Sequence, residues 1–109
     1  MYDLTRFYKI LSDETRIRIL MLLKEQKLCV CQLCGIMEET QPKISKHLAK
    51  LRDIEIIIDE RVEQYIFYSL NVNNSLYVKT LELINEKIDD YEILKKDRKR
   101  SINPECYIK

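Results

Sequence analysis

The chain has 109 residues, 46% of them apolar and 34% charged, with one Gly, two Pro and no Trp. This composition excludes wholesale disorder and a turn-rich sandwich or barrel, and the length suits one largely helical domain. Nineteen basic against eighteen acidic side chains leave a formal charge of +1, which excludes a uniformly basic nucleic-acid coat, so any contact with nucleic acid has to come from local charge placement.

Leu4, Phe7, Tyr8 and Leu11 fall at i, i+3, i+4 and i+7 and predict an amphipathic helix over 2–11. Ser12-Asp13 offers an N-cap to a second helix that runs to about residue 24, with Ile17, Leu20, Met21 and Leu23 inward. Lys27-Leu28-Cys29 reads as a short extended link, followed by a brief helix over 30–37 and a turn at 38–41. Thr40 is placed to cap the next helix, and Pro42 sits in its first turn, where a missing N–H costs least. That helix reaches residue 53 with Ile44, Leu48 and Leu51 facing inward at i, i+4 and i+7. The period then changes to two. Residues 54–60 are rich in β-branched side chains, and Ile66, Tyr68 and Leu70 alternate over 65–70, so two strands form a hairpin joined near 61–64. A long helix is predicted over 74–97, with Tyr77, Leu81, Ile84, Ile88 and Tyr91 making a coiled-coil-like seam. Residues 95–100 contain five basic and one acidic side chain, and the last nine read as a loose tail. The division is therefore a domain over 1–97 and a basic, flexible tail over 98–109.

This order predicts a mainly α chain with a two-stranded β-hairpin, a winged helix-turn-helix. A chain this short buries only about two thirds of its unfolded surface, so a partner subunit is expected. The seam Tyr77, Leu81, Ile84, Ile88, Tyr91, with Leu4, Phe7 and Tyr8 of the first helix, predicts a homodimer through the terminal helices. No run of 18 apolar residues is present and no membrane span is expected. The start lacks the regions of a signal peptide, so the expected compartment is the cytoplasm, where four cysteines are reduced thiols.

Two stretches carry chemistry. Cys31 and Cys34 are i and i+3 on one helix face, and Cys29 lies just before that helix. Thiolates select soft ions, although small buried cysteines fit the same spacing. Zinc or cadmium would want a fourth ligand, for which His47 and Cys106 are the nearest candidates. Residues 41–53 hold Lys43, Lys46, Lys50 and Arg52 against Asp53. With the apolar stripe turned inward, Gln41, Lys43, Ser45, Lys46 and His47 face outward, where Gln, Ser and Lys donate to base edges and Lys also meets phosphates. A basic stripe alone is most often a solvated face; behind a short helix and a four-residue turn it reads as a major-groove helix. Cys31-Gln32-Leu33-Cys34 also matches the C-x-x-C of dithiol oxidoreductases, but no βαβ unit is readable, so an enzyme is not expected.

Leu11-Ser12-Asp13-Glu14-Thr15-Arg16-Ile17-Arg18-Ile19-Leu20 resembles the opening signature of the ArsR/SmtB family of metal-sensing repressors. Leu28-Cys29-Val30-Cys31-Gln32-Leu33-Cys34 resembles the family's metalloid box, and Gln41-Pro42-Lys43-Ile44-Ser45-Lys46-His47-Leu48 its DNA-reading helix. With all three box cysteines present, the arsenical-resistance repressors are the branch most resembled. The resemblance implies a repressor that holds double-stranded operator DNA, an inverted repeat, as a homodimer. It implies As(III) or Sb(III) on Cys29, Cys31 and Cys34 as inducer, with no organic cofactor, and makes His47 a DNA contact. The alternatives are a sensor of a divalent soft metal (Cd, Pb or Zn) or a winged-helix module that binds protein. Two departures stand out: Glu55 and Glu63 occupy places where the family usually has Gly. Glu55, Asp59, Glu60 and Glu63 against Arg61 also make the wing acidic, which phosphates would repel.

Overall fold

Asp13 opens the helical core. Its carboxylate accepts the N–H of Arg16 at 3.1 Å and starts α2 (Glu14–Glu25), while α1 (Tyr2–Ile10) precedes it. The structure is a computed structural model and describes residues 2–108, Tyr2 by its backbone alone. β1 (Leu28–Cys29) leads directly into α3 (Val30–Met37), and a short turn leads into α4 (Gln41–Asp53) with Pro42 in its first turn. Thr40 is the N-cap of α4 through its carbonyl, which accepts the N–H of Ile44 at 3.1 Å; its hydroxyl makes no capping bond.

β2 (Ile57–Val62) and β3 (Tyr65–Leu70) form the antiparallel hairpin, with Ile57 opposite Leu70 and Val62 opposite Tyr65. The sheet is one strand wider than expected. Leu28 pairs opposite Tyr68 and Cys29 opposite Phe67, giving the order β1-β3-β2, because the predicted extended link lies along the free edge of β3 and satisfies its backbone groups. The hairpin also starts later than residue 54. Residues 54–56 close α4 instead: the N–H of Glu55 reaches Arg52 O at 2.9 Å, and that of Ile56 reaches Leu51 O at 3.2 Å.

The predicted inward stripe of α4 is the core of the domain: Ile44, Leu48 and Leu51 are buried against Ile19, Leu20, Leu33 and Ile36. Ile56 and Ile57 seal the sheet side. Phe7 stacks on Tyr77 with ring centroids 4.5 Å apart, which fixes α1 to the helix that follows the hairpin.

The long helix expected over 74–97 is broken. α5 (Ser75–Glu86) ends at Lys87, a 3-10 turn (Ile88–Asp90) follows, and α6 (Glu92–Arg100) starts anew. Asp89-Asp90 favours caps and turns over helix interiors, and Glu92 suits a helix N-terminus. The break lets Ile88 and Leu94 turn inward, both buried, and brings α6 back over α2. The seam is therefore divided: Tyr77, Leu81 and Ile88 are buried within their own chain, Ile84 is half-buried, and Tyr91 is exposed. Of the three first-helix residues expected at the dimer interface, Phe7 is fully buried, whereas Leu4 and Tyr8 are exposed. The expected boundary at 97/98 falls inside α6. The segment read as a loose tail carries the last turn of that helix, a buried Ser101 and a 3-10 turn (Pro104–Tyr107) laid against α3.

Candidate functional site

α4 presents Gln41, Lys43, Lys46 and Lys50 to solvent and Ser45 half-buried, because Ile44, Leu48 and Leu51 hold the opposite face in the core. Lys43 lies 3.2 Å from Glu39, one turn before it. Arg52 is turned away toward the hairpin and bonds Asp59 at 3.0 Å, while Lys27 meets Glu60 at 3.4 Å. Two of the acidic wing residues thus have cationic partners. Glu63 stands at the hairpin tip with φ 58°, in the left-handed region that a glycine would occupy freely.

His47 departs from expectation. Three residues from Ile44 and four from Leu51, it falls on the inner edge of α4 and is only 6% exposed. Its Nε2 is 4.0 Å from the Asp13 carboxylate, and its Nδ1 is buried with no hydrogen-bond partner among the described residues. Burial pushes its pKa down; Asp13 opposes this, and Arg16, Lys46 and Lys50 add to it. His47 therefore sits as a neutral ring between α4 and the cap of α2, not facing outward as a reader of bases.

The cysteine box lies one element earlier. Cys29 is the N-cap of α3 and is 2% exposed; Cys31 and Cys34 are half-buried on the helix itself. Among the described residues, no three His, Cys, Asp or Glu side chains converge into a group that could hold a metal ion. The three thiols are neighbours along one helix start and are not a preassembled cage. Cys29 is kept in the capping position by Gln32, whose Oε1 accepts its N–H at 3.0 Å. A polar side chain three residues after an N-cap is the capping-box pattern, which is the signal in the sequence for this role. Cys106 is exposed, and its Sγ donates to Asn103 O at 3.0 Å.

Nothing in the sequence singled out the residues that anchor the turn between the two helices. Arg18 of α2 is bidentate to Asp97 of α6, at 2.8 and 2.9 Å, and also donates to Met37 O at 3.0 Å and to Glu39 at 3.4 Å. Arg100 donates to Gly35 O and Ile36 O, both at 2.7 Å. The last carbonyls of α3 thus end on two guanidinium groups, a favourable place for cations. Glu38, left-handed at φ 57°, ends α3; Lys96 and Arg100 beside it hold its carboxyl below the usual range.

Comparison with known proteins agrees with this architecture. Residues 13–59 match the family described as "Bacterial regulatory protein, arsR family". The arsenical resistance operon repressor of Escherichia coli (strain K12) is 45% identical over 67 residues, 61% of this chain and 57% of that protein. The chain spans about half the length of the arsenic-linked relatives it matches. The transcriptional repressor SdpR of Bacillus subtilis (strain 168) is 41% identical over 64 residues, 59% of this chain and 71% of that protein. HlyU from Vibrio cholerae N16961 superposes with a TM-score of 0.73 at 27% identity, over 78% of this chain and 90% of that one. Its relatives are transcriptional regulators, its basic helix and hairpin are those of a winged helix-turn-helix, and the chain belongs to the arsR family of bacterial regulatory proteins.

Proposed function

We propose that two copies of this chain form a repressor that holds an inverted-repeat operator through Gln41, Lys43, Ser45, Lys46 and Lys50. It lets go when As(III) or Sb(III) is held by Cys29, Cys31 and Cys34. One observation carries the reading: α3, which bears Cys31 and Cys34 and has Cys29 as its N-cap, runs through a three-residue turn into the exposed basic face of α4. The donor set is soft throughout, with no carboxylate or imidazole among the three, and suits a pyramidal three-coordinate ion. Cys29 has to leave its capping position to join Cys31 and Cys34, and that movement alters the start of the helix packed directly before α4. By linkage, DNA weakens inducer binding by the same factor that inducer weakens DNA binding, typically about 1–3 kcal/mol of coupling. The similarity to the arsenical resistance operon repressor supports this choice of ion.

A second reading has its own support. The 3-10 turn carrying Cys106 lies against α3, which offers a fourth thiol to a tetrahedral divalent ion such as Zn(II) or Cd(II).

The test uses reduced protein on a duplex that the protein itself selects from a random pool, followed by fluorescence anisotropy. Arsenite is expected to release the wild type and to leave a variant with serine at 29, 31 and 34 bound. Release of that variant by arsenite overturns the reading. Release by Cd(II) but not arsenite, lost on Cys106→Ser, establishes the second one instead.

A further inference from the structure

Gln32 sits among the box cysteines and is 5% exposed. Its carboxamide bridges two distant pieces of chain: Oε1 accepts the N–H of Cys29 at 3.0 Å, and Nε2 donates to Pro104 O at 3.1 Å. The same C-terminal segment returns to α3 twice more. The Tyr107 ring lies so close over Gly35 that a Cβ there would collide with the ring. Arg100, 5.8 Å from the centroid of that ring, donates to Gly35 O and Ile36 O. Residues 100–107 thus hold the sensor helix at its start, its middle and its end, and one buried amide ties the backbone of Cys29 to residue 104.

We propose that residues 100–107 are a strap that keeps Cys29 in its capping position and thereby sets the inducer concentration at which the three thiols come together. This rests on the cysteine box being the inducer site. Gathering the thiols requires Cys29 to move, and its N–H then loses Gln32. A Gln32 side chain anchored at Pro104 cannot follow Cys29 without dragging the strap off α3. Tyr107 and Arg100 resist that displacement, so every contact of the strap favours the unassembled box. Gln32 and Tyr107 act here as positioning residues, because neither side chain is itself a thiol donor.

The experiment needs no metalloid for its first readout. In reduced full-length protein, alkylation of Cys29 by iodoacetamide is followed by mass spectrometry for the wild type, Tyr107→Ala, Gly35→Ala and Tyr107→Phe. Gly35→Ala evicts the Tyr107 ring while making α3 a better helix, so faster labelling in that variant cannot come from a weakened helix. Tyr107→Ala and Gly35→Ala are expected to label Cys29 faster and to bind arsenite at concentrations roughly three- to tenfold lower, the span of one hydrogen-bond-scale contact. Arsenite binding is read from thiolate–arsenic absorbance, and Tyr107→Phe keeps the ring and is expected to behave as wild type. Equal Cys29 labelling in the wild type and both loosened variants overturns the strap, as does faster labelling with an unchanged arsenite midpoint. A wild type that takes up no arsenite overturns the reading of the box on which the strap's regulatory role rests.

Discussion

His47 lies with its ring buried between α4 and the start of α2, and burial lowers its pKa below the ordinary value of 6.5. On acidification the unfolded chain therefore takes up this proton before the folded one does. The contribution of neutral His47 is complete above about pH 6.5 and is lost as pH falls through the lower folded value. Asp13 titrates in a separate window: burial works to raise its carboxyl, but the N–H of Arg16 and the charges of His47 and Arg16 outweigh this and hold it below 3.8. The urea midpoint of the wild type is thus expected to drop between pH 7.5 and pH 5.5, and that of His47→Gln to drop less. Equal slopes in urea titrations at the two pH values would refute the assignment.

Among the described residues, three elements end or turn on a glutamate with positive φ: Glu38 after α3, Glu55 after α4 and Glu63 at the hairpin tip. A non-glycine residue in this region costs about 1–2 kcal/mol, and glycine there gives back about 0.5–1 kcal/mol through the entropy of the unfolded chain. The strain outweighs the entropy, so Glu55→Gly and Glu63→Gly are each expected to stabilise by about 0.5–1 kcal/mol in urea unfolding. Glu38 is a poor candidate for the same change, since Lys96 lies 3.2 Å from its carboxylate and Arg100 is within 3.9 Å. Glu63→Gly also removes a negative charge from the wing, so DNA affinity is not expected to fall with it. A destabilised Glu63→Gly variant in the same titration would show that the tip is held by its side chain.

At the scale of the whole molecule, the Arg18–Asp97 pair joins residues 79 positions apart and fastens α6 over α2. Both partners are buried, Asp97 at 2% and Arg18 at 7% exposure, and the hydrogen bond from Arg18 to Asp97 keeps the guanidinium charged. Removing one member leaves a buried charge without its counter-ion, so Asp97→Ala is expected to cost about 3–5 kcal/mol. Arg18→Met combined with Asp97→Leu is expected to recover part of that loss, and thermal melts of the single and double variants decide it. The fold leaves an apolar cleft of about 570 Å³ lined by Leu11, Ile17, Leu83, Ile84, Tyr91 and Ile93, with Leu83 64% exposed. In the dimer proposed above, a second copy would cover this cleft. Leu83→Glu with Tyr91→Glu is then expected to sediment as monomer where wild type is dimeric, and a wild type that is already monomeric at micromolar concentration contradicts it.

Period and capping chemistry made the helices before and within the helix-turn-helix legible, together with the hairpin, the inward stripe Ile44, Leu48, Leu51 and the outward lysines of α4. These are local properties, set by spacing along one element and by residues such as Asp13 and Pro42 whose preferences act over three or four positions. The thiol spacing and the basic face were equally plain, because chemistry-bearing residue types clustered within one turn of each other. His47 was misplaced because a position between two apolar residues lies at the edge of a helical stripe, and only packing against α2 decides which side of that edge it takes. The break at 87–91, the burial of Tyr77, Leu81 and Ile88 within one chain, and the return of residues 98–108 onto α3 depend on partners up to 79 residues away. A seam of apolar spacing specifies that a face is covered but not by what. Here the tertiary structure covered much of it from within, because a buried ion pair to α2 and the hydrogen bonds between residues 100–104 and α3 drew α6 back across the domain.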